Sequence, residues 1–223
     1  MARSVALRHS VRHPYLRAVL ISSLALLALY LASGAWPPVP VFGDGIAIAN
    51  GAEEIKRSGL GPNPLTYWYS QHPGAHVMTA AVSMVTGLDT VRSFLLLAFL
   101  GALMTVACAT ILIARLLPAP WPVALLAVLL FQEVAVSGYF GNSTVLASGF
   151  ACAALVLLAE PRGSLRDVAA GLAIAAAGIM RLDAVVTVAA AAVLILMGGR
   201  HRALPRLVLV GAVAGVALAA SLY

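Results

Sequence analysis

The sequence predicts an all-α polytopic membrane protein, a bundle of about seven transmembrane helices with a long first external loop. Of its 223 residues, 62% are hydrophobic and only 10% are charged, and the mean hydropathy is +0.99. Soluble domains carry about 25% charged residues, so this composition excludes an ordinary soluble enzyme. Arginines flank the apolar runs, as in membrane proteins, and this accounts for the net charge of +6 without a nucleic-acid partner.

The N-terminal segment predicts a cytoplasmic tail followed by the first span. Residues 1–17 carry several arginines and no acid, which favours the cytoplasmic side. Residues 18–35 are apolar or small, just enough for a transmembrane helix at a rise of about 1.5 Å per residue. A cleaved signal peptide ending near Ala35 is the alternative, but the spans that follow need no cleaved signal.

Residues 36–92 form a polar, aromatic loop rich in glycine and proline. Loops longer than about 12–15 residues are usually functional or disordered, and the aromatic residues argue against disorder. We therefore expect the active site here. Within the loop, Ile48, Ala52 and Ile55 recur at helical spacing, which predicts an interfacial helix lying on the outer membrane surface and ending at Gly59.

A second short helix is predicted to start at Pro73 and to end at Gly87. Its apolar run, 76–88, is much shorter than the roughly 20 residues that cross a bilayer. The sequence therefore predicts an interfacial or re-entrant helix, which leaves Asp89 and Arg92 outside.

The region 93–223 is predicted to form the transmembrane bundle. Its six expected spans are Ser93–Leu116, Val123–Tyr139, Thr144–Ala159, Arg166–Met180, Ala184–Met197 and Leu204–Leu222. Two glycine pairs, Gly171/Gly178 and Gly211/Gly215, predict close helix packing. The abrupt end after an apolar run predicts a C-terminally truncated chain.

The distribution of charge supports this topology. With these spans, ten of the fourteen basic residues lie on the cytoplasmic side, as expected for a multi-pass protein of the bacterial inner membrane. Counting 76–88 as a full span would move six of them outside. Six of the eight carboxylates then lie on or near the external side. Ionisable groups near membrane depth cost about 2.5–3.5 kcal/mol each, so they are expected to line a polar cavity.

Two short motifs in the loop carry a family resemblance. Phe42-Gly43-Asp44-Gly45 and Gln71-His72-Pro73-Gly74 resemble the N-terminal half of GT-C superfamily membrane glycosyltransferases, such as protein O-mannosyltransferases and lipid A aminoarabinose transferases. In that family a long first external loop opens with an acidic motif, carries interfacial helices and has a His-Pro-Pro-like element. Gly87 and Arg92 match the residues that end the short helix and open the next span. The segment Tyr139–Thr144 resembles the one before the fourth span.

The chain also departs from the family pattern. Gly45 stands where many relatives have a second acid, and Gly74 replaces the second proline. Asp183 follows Arg181 where proline is common. Relatives are usually longer, with a C-terminal half that often helps to bind substrates. These departures leave the sugar and the subfamily open.

The resemblance implies a glycosyltransferase that inverts the configuration of the sugar's anomeric carbon. A sugar would pass from a polyprenyl-phosphate-linked donor to a lipid, glycan or protein acceptor at the outer face of the bilayer. Asp44 would be the general base that accepts the proton of the acceptor hydroxyl. Its structural alternative is an N-cap, because Asp before a helix is favoured there. The resemblance leaves metal dependence open, with a divalent cation as the one cofactor considered.

Eight further residues are candidates for substrate binding: Glu53, Glu54, His72, Arg92, Arg181, Asp183, Tyr67 and Trp68. Each has a structural alternative. The two glutamates suit a solvated helix face, the histidine a helix start, and the aromatic pair an interfacial belt. The arginines suit membrane anchors, since Arg side chains reach the headgroups readily. Arg181 with Asp183 suits either a phosphate site or an internal ion pair.

Two other classes of function fit the composition. In a transporter or flippase-like protein, charges within the membrane would mark a transport path, but the sequence shows no internal repeat. A long acidic loop after the first span is also rare among such transporters. In a non-catalytic membrane subunit, Asp44 would be replaceable without loss of activity.

Overall fold

The structure is a computed structural model, and it describes residues 20–21, 23–28, 31, 44–59, 73–116, 143–159, 164–181, 190–191, 193 and 200–222. Every regular element in these ranges is an α-helix, which confirms the all-α prediction. The predicted span Val123–Tyr139 lies outside the described residues. Of the first span and of Ala184–Met197 only part is described, and that part is helical.

Six helices have defined bounds: α1 Asp44–Ser58, α2 Pro73–Thr86, α3 Thr90–Leu116, α4 Ser143–Ala159, α5 Ser164–Met180 and α6 Arg200–Leu222. The two short helices of the loop are thus present as predicted. The four later helices match the predicted spans to within a few residues.

Glycines end the two loop helices. Gly59 (φ 75°) follows α1 and Gly87 (φ 72°) follows α2. Both have the left-handed backbone conformation, which residues with a Cβ atom rarely adopt. The amide of Gly59 donates to the Ile55 carbonyl, and that of Gly87 to the Ser83 carbonyl, both at 2.9 Å. Proline at the first position of α2 lacks only an N–H that would have no partner within the helix. The predicted start of α2 and both helix ends are confirmed.

Asp89 explains why α3 begins earlier than predicted. Its Oδ1 accepts the backbone N–H of Arg92 at 2.8 Å, so it caps the helix and α3 starts at Thr90 instead of Ser93. Among the described helices, one segment is long and apolar enough to cross a membrane: Thr90–Ile113, with a mean hydropathy of 2.5. Shorter apolar segments lie in α4 and α6, at Thr144–Ala159 and Leu204–Ala220.

Contacts between neighbouring helices show which pairs are parallel and which are antiparallel. Gly101 lies against Leu146, and Met104 against Gly149, so α3 and α4 run parallel. The start of α4 packs on the end of α5 and its end packs on the first half of α5, so these two helices are antiparallel.

The pair α5 and α6 is parallel again. Asp167 pairs with Arg206, Gly171 lies against Val210, and Gly178 lies against Leu218. Parallel pairing means that α5 ends at the opposite end of the pair from the start of α6.

These directions give the bundle two different ends. At the loop end, α1 packs on α2 and α3, and α2 packs on α3 and α5; the starts of α3 and α4 and the end of α5 share one buried cluster with them. The opposite, basic end holds the last turn of α3 and the starts of α5 and α6. Its basic residues include Arg115, Arg166, Arg200, His201, Arg202 and Arg206. The predicted membrane topology of the bundle stays a prediction.

The predicted glycine packing is confirmed for one pair of glycines. A Cβ atom on Gly171 would lie 2.9 Å from the Val210 carbonyl oxygen, and one on Gly178 would lie 3.1 Å from Leu218. Within the part of the chain that the structure describes, no atom lies within 4 Å of a Cβ atom placed on Gly211 or Gly215, so close packing at this pair stays a prediction. Their spacing matches the motif, but the opposite face of α6 contacts α5.

Candidate functional site at the loop end

The loop end is held together by an apolar cluster to which five helices contribute. Its buried members are Ile48, Ala75, Phe94, Leu95, Leu97, Leu146, Ala147 and Met180. Because these side chains come from α1 through α5, the cluster fixes the two loop helices against the bundle. Of the loop candidates, Asp44, Glu53, Glu54 and Arg92 lie on helices that meet at this end.

α1 places Asp44 at its first residue. The predicted apolar face is confirmed, since Ile48, Ala52 and Ile55 are all buried. The opposite face is polar and exposed, with Glu54 and Lys56 among its side chains. α1 therefore presents a charged surface to its surroundings, and its N-terminus begins one turn before Ile48.

α2 has the reverse arrangement. Its buried face is small or polar, formed by Gly74, Ala75, His76, Thr79, Ala80 and Ser83. The opposite face exposes larger apolar side chains: Val77, Met84 and Val85, the last of which is 86% exposed. In a water-soluble protein the large apolar residues would face inward. The exposed face of α2 is therefore apolar, whereas the exposed face of α1 is charged.

Gly74 brings the start of α2 against the end of α5. A Cβ atom at this position would lie 2.4 Å from Ile179 Cγ2 and 3.1 Å from the Ile179 carbonyl carbon. A larger side chain here would displace the Ile179 side chain and press on its backbone. This contact gives a physical reason for glycine where the resembled motif has a second proline. It also places Gly74 against Ile179 and Met180, the two residues that precede Arg181.

Arg181 lies where α2, α4 and α5 meet. Its amide continues α5 by donating to the Ala177 carbonyl at 3.0 Å. Its half-buried guanidinium donates through Nη1 to the Thr144 hydroxyl in the first turn of α4. A half-buried guanidinium among helix ends is a strong anion-binding group. The role of Thr144 was missed, although it closes the segment Tyr139–Thr144 that carries part of the resemblance.

The described carboxylates of α1 follow their structural alternative. Glu53 pairs with Lys56 at 3.4 Å and with Arg57 at 3.5 Å on the same helix. Glu54 is exposed. Spacings of three and four residues place these charges side by side on a solvated helix surface, and nothing in the described contacts brings either glutamate towards Arg181.

Arg92 also has a local partner. Its Nε lies 3.3 Å from Asp89 Oδ2, and both side chains are more than half exposed. The pair lies at the start of α3, where the Asp89 carboxylate also caps the helix. Arg92 is thus at the loop end, as predicted, and its role in substrate binding stays a prediction.

Four candidates lie outside the described residues: His72, Tyr67, Trp68 and Asp183. Their roles stay predictions. Within the described ranges, no three His, Cys, Asp or Glu side chains come together as metal ligands. Whether the protein binds a divalent cation stays open.

Two buried polar features were not predicted. Asp167 and Arg206 form an ion pair between α5 and α6, with Nε 2.7 Å from Oδ1 and exposures of 1% and 9%. His76 is buried between α1 and α2. Residue type alone gave no signal for either, because Asp167 and Arg206 read as cytoplasmic surface charges and His76 as one polar residue of the loop.

Comparison with protein-family models, with curated proteins and with solved structures finds no match to this chain. A proposal of function therefore rests on the chain's own residues and on the geometry of the loop end.

Proposed function

We propose that this protein is a polytopic glycosyltransferase of the GT-C type in the bacterial inner membrane. It moves a sugar from a polyprenyl-phosphate donor to an acceptor hydroxyl at the loop end. One observation carries the proposal: the half-buried Arg181 guanidinium lies at the junction of three helices, at the same end of the bundle as Asp44. Such a group suits the phosphate of the donor.

The proposed membrane arrangement follows from the two ends of the bundle. α3 is the clearest membrane-crossing helix, and α4, α5 and α6 pack beside it in turn. A helix of 17 residues, as in α4, is about 26 Å long at 1.5 Å per residue, close to the roughly 30 Å of the hydrocarbon core. The basic end is cytoplasmic by the positive-inside rule, so the loop end is external.

The two loop helices take different positions in this arrangement. The exposed apolar face of α2, which includes Met84 and Val85, contacts the lipid acyl chains. The charged face of α1 contacts water. α2 therefore lies at the boundary between acyl chains and headgroups, the depth at which the phosphate of a membrane-bound polyprenyl donor is found. Because Gly74 contacts Ile179 and Met180, we place Arg181, the next residue, near that depth as well.

The surroundings of Arg181 favour an anion. The start of α4 contacts it through Thr144, and the start of α2 contacts Ile179 and Met180, which precede it. Helix N-termini carry partial positive charge and N–H groups without partners in their own helix. A planar guanidinium can donate two parallel hydrogen bonds to one phosphate. Partial burial strengthens this attraction relative to water.

Asp44 and Arg181 are linked through the apolar cluster. Asp44 lies one turn before Ile48, and Arg181 directly follows Met180. Ile48 and Met180 belong to the same buried cluster, so Asp44 and Arg181 both lie at the loop end. In the proposed complex the sugar binds between these two residues.

This placement supports a single displacement. The acceptor oxygen attacks C1 of the sugar while its proton passes to the Asp44 carboxylate, which contributes about 10²–10⁴-fold as a general base. The bond between C1 and the phosphate oxygen breaks, and the polyprenyl phosphate leaves with the bonding electrons. Arg181 stabilises the charge that develops on the phosphate. Attack opposite the leaving group inverts C1.

A transporter is the second candidate, because Asp167 and Arg206 are buried charges within the helices and such charges often mark transport paths. Their geometry favours a structural role, since at 2.7 Å each neutralises the other. Transport would require the pair to open in each cycle.

The test of the proposal compares variants of Arg181. Arg181→Lys keeps the charge but loses the planar fork, so we expect the donor KM to rise about tenfold, the loss of about one charge-assisted hydrogen bond. Arg181→Ala should lower turnover further. The matched control is Arg57→Lys on the exposed face of α1, which should behave as wild type. Unchanged donor KM and turnover in a folded Arg181→Ala protein would contradict the proposal.

A further inference from the structure

We propose that His76 is the positioning residue that locks α1 onto α2 and thereby sets the location of Asp44. This inference rests on the proposed function, because it concerns the placement of the proposed base. His76 itself is 1% exposed and lies away from the solvent that a substrate would enter from, so its action is through α1.

The lock includes a hydrogen bond between the two helices. The Nδ1 atom of His76 lies 3.2 Å from the carbonyl oxygen of Ile48. A carbonyl oxygen only accepts, so Nδ1 is the donor and carries a hydrogen. The Ile48 carbonyl has a second lone pair for the bond within its own helix. A buried imidazole from α2 thus holds a defined backbone atom of α1.

Gly51 provides the space for the imidazole ring. A Cβ atom at position 51 would lie 2.3 Å from Nδ1 and 2.8 Å from Cε1 of His76. Glycine inside a helix is destabilising relative to alanine, and α1 carries one at the position that faces the ring. The ring fits into this gap between the turns of α1. It therefore sets the rotation of α1 about its axis and its position along that axis, both relative to α2.

Apolar contacts alone would set the position of α1 less sharply. Ala52 and Ile55 of α1 pack on Ala80 of α2 in a small cluster. Small apolar side chains allow one helix to slide along another with little change in buried area. A directional hydrogen bond between His76 and one particular carbonyl does not allow this.

The consequence for Asp44 follows from helix geometry. Asp44 is four residues before Ile48, so the Ile48 amide and the Asp44 carbonyl belong to the same helical turn. Fixing Ile48 therefore fixes the first residue of α1. A misplacement of about 1 Å from a distant change can cost on the order of 10²-fold in rate.

The activity test uses full-length variants compared at equal amounts of folded protein. His76→Leu removes the donor, and Gly51→Ala displaces the ring; both should lower kcat by at least about tenfold while the donor KM stays within about twofold. His76→Asn retains an amide N–H₂ at the place of Nδ1 and should recover most of kcat. The matched control is Thr79→Val, since the buried Thr79 hydroxyl bonds only to the Ala75 carbonyl of its own helix among the described contacts; it should keep kcat.

A distance measurement tests the lock without reference to activity. Spin labels at Asn50→Cys and Ala81→Cys, two exposed positions on α1 and α2, are introduced after replacing Cys108 and Cys152 by alanine. Pulsed electron resonance should give one narrow distance distribution with His76, a broad one with His76→Leu, and a narrow one again with His76→Asn.

The outcomes separate this inference from the proposed function. An unchanged distribution in His76→Leu overturns the lock, and a broadened distribution with unchanged kcat overturns its link to Asp44. If the wild-type chain transfers no sugar while the distances still broaden and recover, the proposed function fails and the locking of α1 by His76 stands.

Discussion

Gly51, Gly74 and Gly101 each face a neighbouring helix at a distance that leaves no room for a Cβ atom. The nearest atom to that Cβ would lie at 2.3, 2.4 and 3.0 Å respectively. At Gly74 and Gly101 the close atoms include backbone atoms at 3.0–3.1 Å, so a Cβ atom there would require small shifts of the neighbouring helix. These residues set how α1, α2 and α4 approach their neighbours, and with them the surroundings of Arg181.

The carboxylate of Glu53 already has ion-pair partners on its own helix. Glu53 has two basic partners on α1 and is partly exposed, an arrangement worth about 0–1 kcal/mol. Asp44 starts the same helix, and its proposed role does not extend to Glu53. Glu53→Gln is therefore the matched control for a test of Asp44, since it removes a carboxylate from the same helix.

At the scale of helices, the Asp167–Arg206 pair connects α5 to α6 near the basic end. Asp167→Asn removes the carboxylate that neutralises a buried guanidinium, so the free energy of unfolding should fall by about 3–5 kcal/mol. Asp167→Asn/Arg206→Gln removes both charges and should recover much of that loss. Equilibrium unfolding in detergent of the two single variants and the double variant measures the coupling.

An exposed pair of the same chemistry gives the comparison. Arg92→Gln breaks the Asp89–Arg92 pair at the start of α3 and should cost no more than about 1 kcal/mol. Equal losses at the two sites would contradict the structural role of Asp167. Retention of sugar transfer in the double variant would in turn argue against a transport path through this pair.

Helix boundaries were largely predictable because local signals set them. The spacing of Ile48, Ala52 and Ile55 predicted the buried face of α1, and Pro73 and Gly87 predicted the bounds of α2. The errors have local causes too. Asp89 was taken as an external charge and not as a cap, and the basic residues before Leu204 were excluded from α6 although charge does not prevent a helix.

The contacts that build the candidate site were not predictable in the same way. Gly51 meets His76, Thr144 meets Arg181, and Asp167 meets Arg206, each across an interval of 25 to 39 residues. Periodicity reports which face of a helix is buried, and it carries no information on which helix covers that face. The sequence therefore predicted Arg181 as a candidate and did not predict its partner.

At the scale of the whole molecule, the two ends of the bundle differ in charge and in covering helices. If the loop end is external, a cysteine at Ser58 should react with a membrane-impermeant maleimide in intact cells. A cysteine at Ser164, exposed at the start of α5, should react only after the membrane is permeabilised. Both are placed in a chain whose Cys108 and Cys152 are alanine. The opposite labelling pattern would reverse the proposed topology.

The central claim is that the loop end is the active site of a glycosyltransferase with Asp44 as its base. Asn caps a helix about as well as Asp, so Asp44→Asn should leave folding and membrane insertion intact. It cannot accept the acceptor's proton, and transfer should fall by at least about 10²-fold.

The measurement is sugar transfer from a panel of synthetic short-chain prenyl-phosphate sugars, with wild type, Asp44→Asn and Glu53→Gln compared at equal membrane expression. We expect wild type and Glu53→Gln to transfer the sugar and Asp44→Asn to lose transfer. Near-normal turnover of the Asp44→Asn protein would contradict it.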